Sequence, residues 1–213
     1  MTCRSTSESR PRTLCNRVTP RGEIVAVSGR GTMMGNRGVL HDEAREVVRP
    51  WQVRRWITCL LEFRGRRRVV MSPRRYTELF FLDEATALSA GHRPCAECRR
   101  TDYRRFQELW RSCCDERCDA DSMDLRLHRE RLDAKTKRTY RDDLANLPDG
   151  TYVALDDDAW LLWRSQLHAW SDSGYGQRRA RPAHGQVDVL TPPALVRIIA
   201  AGYIPAVHSS IES

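Results

Sequence analysis

Cys95 and Cys98 stand three apart in GHRPCAECRR, with a helix-forming stretch on either side, and nothing else in the chain constrains its fold so tightly. Upstream, FLDEATALSAG reads as a short helix: Asp83 caps it, alanine and leucine fill its interior, and Gly91 ends it. Downstream, Tyr103, Phe106, Leu109 and Trp110 fall on one apolar helical face. The two thiols therefore sit on a turn running into a helix, where both can point at one ion. Backbone amides and the positive helix end favour the thiolates, which Zn²⁺ takes at about 2.3 Å. A thioredoxin-like couple would follow a strand in a βαβ unit, whereas here a helix ending in glycine precedes the pair.

Two thiols make half a structural zinc site, so the remaining ligands must come from elsewhere. The chain has 213 residues and eight cysteines. No run reaches the ~18 apolar residues of a membrane-spanning helix, and MTCRSTSESRPRTLCNRV lacks an apolar signal core. The expectation is a cytoplasmic protein with no membrane partner, in which cysteines serve as metal ligands or free thiols rather than disulfides. Net charge is +8, and between Arg45 and Arg75 ten arginines face two acids. That stretch is the electrostatic footprint expected for a polyanion, nucleic acid above all. A merely solvated basic face is the plain alternative, since arginine outnumbers lysine throughout and Lys135 and Lys137 are the only lysines.

The periodicities predict an α+β protein in four parts. Residues 1–20 read as a flexible basic arm. Residues 21–118 form a small module in which GEIVAVSG is a strand, GTMMGNRG a loop, and RRWITCLLEFRGRRRVVM a β-hairpin turning at Arg64-Gly65. Residues 119–147 are charged, with sparse apolar Met123, Leu125, Leu127 and Leu132, and read as an exposed helical connector. Residues 148–213 change to a period of two, a β-meander of GTYVAL, AWLLWR, LHAWS and VDVL. A helix closes it, with Thr191 as cap, Pro193 in its first turn and Gly202 beyond its end.

The stretch ATALSAGHRPCAECRR resembles the Ada-type zinc-binding domain, in which a short helix leads into Gly-(aromatic)-Arg-Pro-Cys-x-x-Cys; His92 stands at the aromatic position. The match covers residues 80–100. The resemblance implies a small α/β module holding one zinc through Cys95, Cys98 and two ligands from an upstream strand-and-loop segment. It also implies DNA contact, and for Ada itself a thiolate that accepts a methyl group from a DNA phosphotriester. That family supplies its upstream pair as Cys-x-x-x-Cys, which this chain lacks. Cys59 and His41 are the upstream candidates, giving a mixed site of His41, Cys59, Cys95 and Cys98. A buried free thiol and an ordinary loop histidine are the plain alternatives for those two. Cys114 and Cys118 offer another completion by spacing, but an unbroken helix after Cys98 carries Cys114 about 20 Å away. A histidine ligand would weaken a methyl-accepting thiolate, so zinc is expected to be structural.

The expected function is a zinc-containing nucleic-acid-binding protein in DNA repair or processing, with DNA preferred over RNA. Phosphate contacts are assigned to Arg64, Arg66, Arg67, Arg68, Arg74, Arg75, Arg99 and Arg100. Three other readings stay open. His128, Glu130 and Arg131 lie within one helical turn and offer a base, a carboxylate and a phosphate clamp, the makings of a metal-dependent nuclease. A methyl-acceptor repair protein and a non-catalytic interaction module are the others. Trp160, Trp163 and Trp170, with His168 and Tyr175, form either a base-stacking platform or core.

Overall fold

The computed structural model describes residues 13–66, 69–114 and 117–212 and gives an α+β fold of two six-stranded sheets joined by helices. The first sheet takes β1 (Arg17–Val18), β2 (Ile24–Val25), β3 (Met33–Asn36), β4 (Ile57–Leu60), β5 (Leu79–Phe81) and β6 (Arg93–Pro94). Their order is β2-β1-β5-β3-β4-β6, with β1–β5 and β4–β6 parallel. Then come α1 (Glu84–Ser89), α2 (Arg100–Cys113), α3 (Ala120–Arg131) and a small hairpin, β7 (Leu132–Asp133) with β8 (Thr136–Lys137).

The second sheet is antiparallel throughout: β9 (Tyr140–Asp143), β10 (Tyr152–Leu155), β11 (Asp158–Trp163), β12 (Gln166–Ser171), β13 (Gly174–Ala180) and β14 (Gln186–Val189). They are ordered β13-β12-β11-β10-β14-β9. Its first two hairpins turn on Asp156-Asp157 and Arg164-Ser165, all four residues at positive φ, the two-residue loops whose twist matches paired strands. The last helix is α4 (Pro193–Ala200). Among the described residues no helix is long and apolar enough to cross a membrane.

Several sequence expectations need correction. GTMMGNRG, expected as a loop, contains β3, which lies between β5 and β4 near the middle of the first sheet. Gly35 is required there: a Cβ would stand 2.3 Å from the Ile57 carbonyl oxygen. Among the described residues no strand pairs across Arg64-Gly65, and β4 pairs with β3 and β6 instead; Arg67 and Arg68 of the expected hairpin lie outside the described residues. Arg17 and Val18, expected in the flexible arm, form β1, which pairs with β2 and β5; residues 1–12, with Cys3, lie outside the described residues. Thr191 does not cap α4; Pro192 is its N-cap residue, and the Thr191 hydroxyl accepts from the Tyr152 amide.

The expected connector is no exposed spacer. Met123 and Leu127 of α3 are fully buried in a core with Phe106 and Trp110 of α2 and Leu195 and Ile198 of α4. That core crosses the boundaries expected at residues 118 and 147. A second core does the same: Leu82 and Ala85, at and before the start of α1, pack with Tyr152, Leu161 and Tyr175 of the second sheet. Asp83 and Glu84 fasten the same place. The Asp83 carboxylate caps α1 by accepting from the Thr86 amide, and also accepts from the Tyr175 hydroxyl at 2.6 Å and the His208 amide at 2.9 Å. Glu84 accepts from Tyr203 (2.6 Å), the Ala206 amide (3.0 Å) and Arg99 (2.7 Å).

Candidate metal centre

Parallel pairing of β4 with β6 sets Thr58 beside Pro94, and the Cys95 amide donates to the Thr58 carbonyl at 2.9 Å. This holds the Cys-x-x-Cys turn against Cys59. Arg99 locks the arrangement from behind, donating to the Thr58 hydroxyl at 2.7 Å while paired with Glu84 and with Asp102. The sulfurs of Cys59, Cys95 and Cys98 consequently lie within 4.8 Å of one another. Sulfurs sharing a tetrahedral zinc at 2.3 Å stand ~3.8 Å apart, so only a small contraction separates this cluster from a ligand set.

The thiols share protons unequally. Cys95 is held down to about 5, because its sulfur accepts from the Cys59 thiol; burial opposes this, and the Cys98 and Glu97 amides support it. Cys59 is pushed far up as the donor to Cys95 in a buried position, and burial raises Cys98. A cluster with one favoured thiolate and two thiols that resist ionisation alone is suited to a divalent soft-ligand metal, whose charge supports all three. The three thiols can hold a metal ion.

His41 is not part of the group. Its Nδ1 stands 2.6 Å from the Thr77 hydroxyl and its Nε2 3.2 Å from the Ser72 carbonyl, which employs both ring nitrogens elsewhere. The four-ligand His41 site is therefore corrected to three sulfurs. The alternative through Cys114 and Cys118 is not formed either: α2 runs unbroken over 14 residues, Cys114 is buried in the helical core, and Cys118 packs against that core. The sulfur cluster borders a cavity of about 300 Å³ lined by Phe63, Tyr76 and Glu78 among others. Across the mouth, Arg66 pairs with Glu97 at 2.7 Å, both side chains about half exposed. Glu97 lies between the two cysteines in sequence, and its charge there was the one signal pointing to it.

The arginines divide by environment. Arg64, Arg66, Arg74, Arg75 and Arg100 are exposed. Arg99, expected to touch phosphate, is 5% exposed and spent on Glu84 and Asp102, so it is removed from that set. Arg67 and Arg68 lie outside the described residues.

The nuclease constellation also comes apart. Glu130 accepts from Arg126 at 2.5 Å and from the Ala194 amide at 2.7 Å, which satisfies the start of α4. Arg131 is fully buried. His128 packs edge-on against Trp51, and burial with Arg131 and Arg54 nearby lowers its pKa to about 4. Of the five residues offered as a stacking platform, Trp160 and Tyr175 are buried in core clusters, His168 is buried, and Trp163 and Trp170 are partly buried against the core of Leu161 and Tyr175. Comparison with models of protein families, with curated proteins and with solved structures gives no significant match.

Proposed function

We propose that the chain is a zinc-thiolate protein that binds nucleic acid, DNA before RNA, with zinc clamping β4 to the Cys-x-x-Cys turn. The observation that carries the zinc reading is the convergence of Cys59, Cys95 and Cys98 with no carboxylate or imidazole among them. All-sulfur donation favours zinc over the hard divalent cations. The nucleic-acid part is supported by the exposed arginines Arg64, Arg66, Arg74, Arg75 and Arg100 and by the net charge of +8.

Native mass spectrometry with zinc quantitation tests the first part. One zinc per chain is expected, lost in Cys59→Ala and Cys95→Ala and kept in His41→Ala. No zinc in the wild type sinks the reading. For the second part, fluorescence anisotropy on a duplex should give a log affinity falling steeply with log salt. The combined change of Arg64, Arg66, Arg74 and Arg75 to Gln should flatten that slope. A salt-independent or undetectable interaction points instead to a protein partner.

One observation favours a second reading, methyl acceptance. The site is sulfur-only, which keeps a thiolate electron-rich, and Cys98 is only half-buried beside the cavity. In that chemistry the thiolate sulfur attacks the methyl carbon of a phosphotriester; the S–C bond forms as the C–O bond breaks, and the phosphodiester anion leaves with the electron pair. Intact mass after exposure to methyl-phosphotriester DNA should rise by one methyl, located on one of the three cysteines. An unchanged mass removes this reading and leaves zinc structural.

A further inference from the structure

Among the described residues four arginines are buried, and they are held in two ways. Arg93 is met by both oxygens of Asp124 at 2.8 and 2.7 Å, and Arg99 by Glu84 at 2.7 Å. Arg37 and Arg131, 1% and 0% exposed, have no carboxylate within ion-pair distance among the described residues. Arg37 donates to the Gly22 carbonyl at 2.8 Å and to His92 Nε2 at 3.3 Å, and its Nη2 has no partner. Arg131 donates to the Gly91 carbonyl at 2.8 Å and the Arg54 carbonyl at 2.6 Å, lies 3.1 Å from His128 Nδ1, and leaves its Nε without a partner. Lys137 joins them, its Nζ donating to the Ser89 carbonyl. Both guanidinium carbons lie close to the Trp56 ring, 4.0 and 3.8 Å from its centroid.

Three cations on neutral acceptors form a costly arrangement, since a buried charge needs a counter-charge. Each disfavours the next: burial and then its cationic neighbours hold Arg131 and Lys137 well below their ordinary values, and burial brings Arg37 down to about 9. Asp124 acts on Arg131 as a neighbouring acid, but it is already engaged by Arg93. Arg37, Arg131, Lys137 and Trp56 all line a cavity of about 670 Å³, within the range of small-molecule sites. At the rim stand Lys135, Arg21 and one exposed carboxylate, Glu23. This cavity shares no lining residue with the one beside the thiols.

We propose that this cavity is a binding site for a phosphate monoester, whose dianion supplies the counter-charge that Arg37, Arg131 and Lys137 lack beside the Trp56 ring. A dianion supplies the missing counter-charge and accepts several N–H bonds at once, and guanidinium is the donor best matched to its oxygens. The monoester belongs either to a small phosphorylated metabolite or to the 5′ end of a nucleic acid. The proposal does not rest on the zinc reading, and phosphate binding to the zinc-loaded protein tests it alone.

The test is thermal melting and calorimetric titration of the full chain, wild type and Lys137→Met, with inorganic phosphate, a nucleoside 5′-monophosphate, and one oligonucleotide with and without its 5′-phosphate. Phosphate at about 10 mM should raise the wild-type Tm. Lys137→Met should melt higher than wild type without phosphate and bind phosphate at least roughly 10-fold more weakly. Lys135→Gln, on the rim, weakens binding at unchanged phosphate-free Tm and serves should the Lys137 variant fail to fold. Preference for the nucleoside monophosphate assigns the site to a small ligand; preference for the 5′-phosphorylated oligonucleotide over its hydroxyl twin assigns it to a nucleic-acid end. A wild-type Tm unmoved by every phosphate probe, or equal phosphate affinity in wild type and both variants, overturns the proposal.

Discussion

Asp124 is 4% exposed and both its oxygens accept from Arg93, itself 2% exposed, with the exposed Arg55 farther off at 3.9 Å. Asp124→Ala strands that guanidinium, a loss of about 3–5 kcal/mol for a broken buried pair. Urea denaturation should show the midpoint falling accordingly; an unchanged midpoint would mean that water reaches Arg93. The histidines act through pH. Burial first, and then neighbouring arginines, lower His92, His128 and His168 below the ordinary value of 6.5. The unfolded chain therefore binds more protons than the folded one below pH 6.5, and stability falls as pH drops through that value toward 4. Burial raises Asp83 and Asp124, which pulls the opposite way above 3.8. His128→Gln separates the two: its Tm should fall less than the wild type's between pH 7 and pH 5. Cys59, Cys95 and Cys98 were legible as a group that could hold an ion, and the structure brings their sulfurs together. His41 was a plausible fourth in sequence, yet Thr77 and Ser72 occupy both its nitrogens. Glu84 and Asp124 could not be recognised at all, since their arginine partners lie 15 and 31 residues away.

Among the elements, β3 carries the first sheet, pairing with β4 on one side and β5 on the other. Gly35 lets that happen, because a Cβ would also meet the Phe81 ring at 2.9 Å. Gly35→Ala should separate β3 from β4, and with it the placement of Cys59. The expected outcome is a lower Tm together with weakened zinc retention against a chelator; a stable variant with normal zinc would show that the strand accommodates the methyl. Local signals read the helices well: Asp83 and the Phe106-Leu109-Trp110 face behave as their chemistry dictates. They failed for β3 because Met-Met-Gly-Asn carries no strand signature, and only neighbours on both sides make a strand of it. They failed for α3 because its buried face is built from Met123 and Leu127 alone, with Asp124 and Arg131 buried beside them.

At the scale of the molecule, α1, α2, α3 and α4 contribute to one core, and the start of α1 is packed into the second sheet. The two sheets should therefore unfold together. Calorimetry is expected to give one transition whose calorimetric and van't Hoff enthalpies agree, and on the zinc proposal a chelator should lower it as a whole rather than split it. Two resolved transitions would restore the independent units that the change of period at residue 148 implied. Periodicity locates elements but carries no information about which elements share a core, and this is why the units looked separable.

The bonds made by Asp83 and Glu84 also set an order of events during synthesis. Their partners Tyr203, Ala206 and His208 are 119, 122 and 125 positions further along the chain. At 5–20 residues per second, both carboxylates wait roughly 6–25 s on the ribosome for the groups that will cover them. Cys59, Cys95 and Cys98 have all been made well before that. Metal capture can thus precede closure of the fold, and a nascent chain that has bound its ion holds β4 and the Cys-x-x-Cys turn in register while the acidic start of α1 is still open to water and to chaperones.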